Sequence, residues 1–193
     1  MELLFASSCL HPLNFSGKLG GVELNIQNIA REMLRRGHQL QIVAPTNSAV
    51  ESLPIKEIAG ELQPVFPVIP EPIYTHPTVI PNNAVLADMW DYARQVQDDY
   101  DLIVDFGYEW LPLYLSPFFR RPVLHYLCMG SWTAIIDREI ERLAHLCPGT
   151  LGVHTKAQAA TYSVAKSLRI LGGAIDITQY EFCPEPGDSF AWA

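Results

Sequence analysis

The chain has 193 residues, with 13 Lys and Arg against 21 Asp and Glu, a formal net charge of −8. That length holds one domain with a sizeable core, and 49% hydrophobic against 18% charged residues is globular composition rather than that of a disordered tail. The acidic balance and the lack of any Lys/Arg-rich run argue against broad nucleic-acid or anionic-membrane binding, no stretch approaches the roughly 20 apolar residues of a membrane helix, and Met1 to Ser8 lacks the basic flank and long apolar core of a signal peptide.

The cysteines stand at 9, 128, 147 and 183, with no C-x-x-C spacing for a zinc or redox site. Scattered thiols in a chain of this size point to a reducing cytoplasm rather than a disulfide framework.

In chain order, Leu3 to Ala6 is an apolar run that predicts a buried strand. A Ser-, Pro- and Gly-containing loop, 7–21, leads into a helix marked by Val22, Ile26, Ile29, Ala30, Met33 and Leu34 and closed by Gly37. Leu40 to Ala44 is a second strand, so 3–44 predicts a β-α-β unit with a right-handed crossover. From Pro45 to Pro81 regular structure fades into a surface excursion or short edge pieces, and six of the 15 prolines lie between Pro64 and Pro81. Val85, Met89, Tyr92, Ala93 and Val96 mark the next helix, and Leu102 to Val104 a central strand. Leu111 to Phe119 reads as a short helix broken near Pro117, and Val123 to Leu127 as a strand. A helix follows from Trp132 to Ala144, then a strand at 150–153, a helix at 156–164 and a last strand at 168–171. The alternation predicts an α/β fold with a Rossmann-like doubly wound parallel sheet.

In such a sheet ligands bind beyond the carboxyl ends of the strands. This selects the loop 7–21 and the turns 105–110, 128–132, 154–156 and 172–176. Gly17, Gly20 and Gly21 precede the first helix, where N–H groups and a positive dipole end can meet a phosphate; the plain alternative is a tight turn. The spacing is neither G-x-G-x-x-G nor a P-loop. Asp105, followed by Phe106-Gly107-Tyr108-Glu109-Trp110, suits a flat hydrogen-bonding ligand held by stacking rings and a carboxylate, or else is a strand-end cap beside core aromatics. His11 and Asn14 are candidates to line the same cleft, as is His154, whose alternative is a helix-start residue beside Thr155. Glu23, at the first helix start, reads as structural.

These residues carry a resemblance. Gly20-Gly21-Val22-Glu23, then Asn28 to His38 with its Arg36-Gly37-His38, then Ala44-Pro45, resembles the opening of the family 4 retaining glycosyltransferases. Tyr100-Asp101-Leu102-Ile103, His154-Thr155-Lys156-Ala157 and Leu171-Gly172-Gly173-Ala174-Ile175-Asp176 are similar to later motifs of that family, in order. More narrowly, Val85 to Arg94 and Val153 to Thr161 are similar to cyanobacterial proteins described as UDP-glucose:tetrahydrobiopterin glucosyltransferases.

The resemblance implies one lobe of a glycosyltransferase B-type fold. Residues 1–180 would be the N-terminal acceptor-binding domain, and 181–193 the interdomain linker and the start of a donor-binding domain supplied in cis. Phe190-Ala191-Trp192-Ala193 looks like that domain's first strand, so the chain reads as a truncated enzyme, inactive alone. The implied reaction moves a sugar from a nucleotide-sugar such as UDP-glucose to a small acceptor such as tetrahydrobiopterin, without a metal or cofactor beyond the donor. Gly20 and Gly21 would touch the donor phosphates, and His11, Asn14, Asp105, Tyr108, Glu109, Trp110 and His154 would face the acceptor. The family's histidine follows the strand equivalent to 123–127; here Cys128 or Met129 stands there, while His125 lies inside the strand, pointing to the sheet faces. His125 and the turn Met129-Gly130-Ser131 are the catalytic candidates. A nucleotide-binding oxidoreductase lacks its glycine fingerprint and the acidic residue where Ala44-Pro45 stands. A non-catalytic small-molecule or protein-binding domain, using the proline-rich stretch as a partner surface, is the alternative.

Overall fold

The protein is described from a computed structural model over residues 1–14, 20–64 and 80–173. Seven strands form one all-parallel sheet in the order β3-β2-β1-β4-β5-β6-β7. They are β1 (Glu2–Ala6), β2 (Gln39–Pro45), β3 (Ile55–Ile58), β4 (Leu102–Asp105), β5 (Val123–Leu127), β6 (Leu151–Val153) and β7 (Arg169–Ile170). The α/β Rossmann-like class follows from this order.

Side chains alternate across each strand, so β1 sends Leu3 and Phe5 to one face and Leu4 and Ala6 to the other. On the first face lies α1 (Gly21–Arg35), burying Ile26 and Ala30 against Leu3, Phe5, Ile42 and Phe106. On the second lies α2 (Val85–Val96), burying Met89, Trp90 and Ala93 against Leu4, Val43, Ile103 and Val123. Each large apolar side chain removed from water contributes about 1.5–3 kcal/mol. The Trp90 ring also meets Phe119 edge-on at 5.5 Å. A third cluster joins α4 (Ala134–Leu146) to β5 and β6 through Ile136, Ile140, Leu143, Leu127 and Val153.

Helix ends follow local chemistry. Past Arg36 the chain enters the left-handed region at Gly37 (φ 83°), where the Gly37 and His38 amides donate to the Leu34 and Met33 carbonyls. This closing pair of bonds needs glycine at that position. The helix α3 (Trp110–Leu115) has Pro112 in its first turn, where no N–H is missed, and Pro117 turns its end into a 3-10 turn, Ser116–Phe118.

The edge strand β3 is one of the two outcomes expected for the stretch after Pro45, a short edge piece. The structure departs from expectation in two places. The helix expected over 156–164 is only α5 (Lys156–Ala159), followed by a turn and a 3-10 turn at Ala165–Ser167. Its start is capped by the Thr155 hydroxyl, which accepts from the Gln158 amide at 3.0 Å, but Thr161, Tyr162 and Ser163 are weak helix formers. The helix α4 begins at Ala134 rather than Trp132. Gly17, Asp176, Cys183, most of the proline-rich stretch and the linker 181–193 lie outside the described residues, as does the expected donor-lobe strand at 190–193. No helix among the described residues is long and apolar enough to cross a membrane.

Candidate functional site

From β1 the chain crosses to β2 on one side, and from β4 it crosses to β5 on the other. Adjacent connections therefore diverge beyond the carboxyl ends of β1 and β4, which opens a crevice there. One wall is the loop after β1, with Ser7, Ser8 and Cys9; the other is the turn after β4, 105–109.

The two walls touch. The Cys9 thiol donates a hydrogen bond to the Glu109 carboxylate. Burial, then the negative charge of Asp105, pushes the Glu109 carboxyl up to about 7, against the thiol bond, which pulls it down. Burial and the Glu109 charge push the Cys9 thiol upward in turn. On the far side of Asp105, burial and then the charges of Asp105 and Glu23 raise the Cys128 thiol to about 12. Both thiols are thus protonated donors at neutral pH, not nucleophiles.

Asp105 is 2% exposed and already satisfied. Its Oδ1 accepts from the Gly107 amide at 3.0 Å, and its Oδ2 lies 2.8 Å from His125 Nδ1. The opposite ring nitrogen, Nε2, lies 2.7 Å from Ser116 Oγ, whose hydroxyl donates to the Pro112 carbonyl at 2.8 Å. His125 thus bridges Asp105 and Ser116 through its two ring nitrogens. This corrects two candidates. His125 is fully buried among protein groups and does not reach the crevice, and Asp105 has no free oxygen for an acceptor's edge. The accessible carboxylate on that turn is Glu109, which is half-buried.

A second turn, 128–131, follows β5. The Tyr108 hydroxyl donates to the Gly130 carbonyl at 3.1 Å, and the Tyr162 hydroxyl to the Met129 carbonyl at 2.6 Å. The Gln158 amide donates to both Leu127 and Met129 carbonyls at 2.8 Å. The Ser131 amide donates to Thr161 Oγ1 at 2.9 Å, and its hydroxyl to Asp137 at 2.6 Å. The candidates Met129, Gly130, Ser131 and Tyr108 are therefore brought together, on a turn held by residues of and just after α5 that sequence reasoning missed. Gln158, Thr161 and Tyr162 gave no signal because each acts on a backbone atom of a distant turn.

His154 receives a partner of its own. Its Nδ1 donates to the Tyr126 hydroxyl at 3.1 Å, which donates to the Gly172 carbonyl at 2.7 Å, and partial burial lowers the histidine's pKa. Trp110 starts α3, half-exposed and stacked on Tyr114 at 4.8 Å. His11 is exposed. Asn14 sits beside β2, bridged to Ala49, with its amide donating to the Asn47 carbonyl at 3.5 Å, away from the Glu109 wall.

At the α1 start, Gly20 is the cap residue and carries no side-chain cap. A Cβ there would collide with the Glu23 carboxylate, whereas one on Gly21 would meet nothing within 4 Å. Glu23 is itself buried at the positive end of the helix. Among the described residues, the unfilled side of the helix start is therefore that of Gly21. A concavity of about 950 Å³ lies elsewhere, beside α1 over β1, β4 and β5. It is lined mainly by apolar residues such as Leu3, Val104 and Leu124, and none of the crevice carboxylates lines it.

No known family profile matches the chain, and no curated protein does. Among solved structures it resembles HepE of Anabaena, determined in complex with UDP and glucose, at 18% identity and a TM-score of 0.55. The match covers 94% of this chain and 47% of HepE, so the chain spans about half of that protein's length. Likeness at this identity establishes a shared Rossmann-like fold.

Proposed function

We propose that the chain is the acceptor-side lobe of a sugar-nucleotide-dependent glycosyltransferase of the two-lobe B type, moving a sugar such as glucose from UDP-glucose to a small acceptor. The observation that carries this reading is the meeting, at one edge of the sheet, of an open glycine helix start and a half-buried carboxylate in the crevice between β1 and β4. The first suits a diphosphate and the second a hydroxyl or ring N–H. The likeness to a protein holding UDP and glucose supports it, and the coverage of half that protein fits a second lobe in cis that binds most of the donor.

In this reading the Gly21 end of α1 meets the negative charge that develops on the leaving diphosphate, where fixed N–H groups act without reorganisation. The acceptor lies over the crevice between Glu109, Tyr108 and Trp110, with Met129-Gly130-Ser131 on its far side. Transfer retains the anomeric configuration, and a reduced pterin such as tetrahydrobiopterin is the first acceptor to try. His154, bonded to Tyr126, lies at the rim.

The test is a transfer assay on the complete gene product with UDP-glucose against pterin, lipid and sugar acceptors, with the anomeric configuration read by NMR. Replacing Gly21 by Trp should weaken donor binding and turnover at least tenfold; unchanged values would remove the phosphate contact. No donor binding and no transfer to any acceptor would sink the reading itself.

A further inference from the structure

The geometry points to Glu109 as the catalytic residue that takes the acceptor's proton, with Asp105 and His125 as positioning residues behind it. This rests on the glycosyltransferase reading above and adds to it a chemical role for one carboxylate.

Three placements carry the inference. Glu109 lies where the diverging connections of β1 and β4 open the sheet edge, the position at which this fold exposes a ligand. Asp105 and Glu109 flank one point, since a Cβ built on Gly107 would lie 3.2 Å from Asp105 Oδ1 and 3.9 Å from Glu109 Cγ. Asp105 is locked from both sides, by the Gly107 amide at 3.0 Å and by His125 at 2.8 Å, and His125 is braced by Ser116. Two neighbouring carboxylates thus have opposite surroundings. The inner one is held in place by two partners. The outer one takes a thiol hydrogen bond from Cys9 and faces the inner one. Environments that separate two carboxyls in this way divide their roles, one as fixed charge and the other as proton carrier.

The groups facing Glu109 are Cys9 from the loop after β1 and Asp105 from β4; Glu23 of α1 and Cys128 stand beyond Asp105. Burial and the Asp105 charge raise the Glu109 carboxyl to about 7, the range in which a base both accepts and releases a proton.

The acceptor's O–H bond breaks and its proton moves to a Glu109 oxygen. The freed oxygen lone pair forms the bond to the anomeric carbon on the face from which the diphosphate departs, so that the configuration is retained. The bond from that carbon to the donor's phosphate oxygen breaks, and its electron pair leaves on the nucleoside diphosphate. The proton on Glu109 then passes to water or to the departing diphosphate.

The experiment compares wild type, Glu109→Gln and Cys9→Ala in the complete gene product, reading kcat against pH together with the donor Kd. Wild-type kcat should rise with pH through a limb near 7. Glu109→Gln should lower kcat by about 10²-fold or more and abolish the limb, with the donor Kd within twofold. Cys9→Ala removes the thiol bond that favours the anion, so the limb should move to higher pH, a shift that a merely structural thiol would not produce. A Glu109→Gln enzyme within threefold of wild type, or a limb unmoved in both variants, overturns the role of Glu109 while leaving the transferase reading intact. A wild type that binds no nucleotide-sugar and transfers to no acceptor overturns both.

Discussion

Asp105 and His125 are register partners on the adjacent strands β4 and β5, and their side chains meet at 2.8 Å with neither more than 2% exposed. A hydrogen-bonded pair so deep recovers the cost of burying its polar groups only while both members and their outer hydrogen bonds are present. Removing one partner is therefore costlier than the pair is stabilising. His125→Ala should cost about 3–5 kcal/mol by leaving the aspartate buried against an apolar wall. Urea unfolding checks this: the midpoint should fall with the slope unchanged. The Asp105→Ala, His125→Ala double variant should lose less than the sum of the two single variants, because no unpaired charge is left behind.

Glu109 gives the stability a pH dependence of definite sign. Its carboxyl ionises near 4.5 in the unfolded chain and at about 7 when folded. Between those values the folded state binds more protons, so stability falls as pH rises and levels off above 7. Below 4.5 both states are protonated and the group contributes nothing. Urea midpoints at pH 5 and pH 8 should therefore drop in wild type relative to Glu109→Gln, which has no such proton. A difference between the two proteins that is the same at both pH values would contradict the raised carboxyl.

The 128–131 turn should loosen when its side-chain anchors go. Thr161→Val removes the acceptor for the Ser131 amide while keeping the shape of the side chain. Losing one such bond, worth about 1 kcal/mol, should speed hydrogen exchange at the Ser131 amide by roughly fivefold and leave the β5 amides unchanged.

Most of the framework was legible because it rests on periodicity. Leu3 to Ala6, Val123 to Leu127 and the stripe Ile26, Ala30, Met33 each carry their own pattern, and Gly37 marks its helix end by chemistry that only glycine satisfies. The edge strand β3 was legible only as one of two readings, a short edge piece without bounds: Lys56 and Glu57 at its centre are exposed, so the hydrophobic signal is absent where a strand is half-covered. The site divides in the same way. The carboxyl-edge turns follow from topology, and Asp105, Tyr108 and Glu109 lie on one of them. The inward turn of His125 was readable from its place within a strand. Its partner Ser116 was not, since the contact joins the end of α3 to β5 and no sequence spacing encodes it. The division of labour between Asp105 and Glu109 also needed coordinates, because four residues of separation say nothing about which carboxylate is enclosed.

Gly152 is a packing constraint in the sheet rather than a turn residue. A Cβ there would come within 2.7 Å of Leu171 Cγ, beside the strand that leads to Gly172 and its bond with Tyr126. Gly152→Ala should destabilise by about 1–3 kcal/mol through overpacking. Thermal unfolding would detect it, and Leu171→Ala in the same chain should restore part of the loss.

Because all the described strands run the same way, the carboxyl-end turns share one rim of the sheet and the amino ends the other. The amino-end rim carries the amino terminus, 3.3 Å from His38 Nδ1, the Glu2 amide on Asp101 at 2.9 Å, and the Arg120–Asp98 ion pair. Anchoring the chain to a surface through Met1 would therefore leave Glu109 and the 128–131 turn on the opposite rim, facing solution.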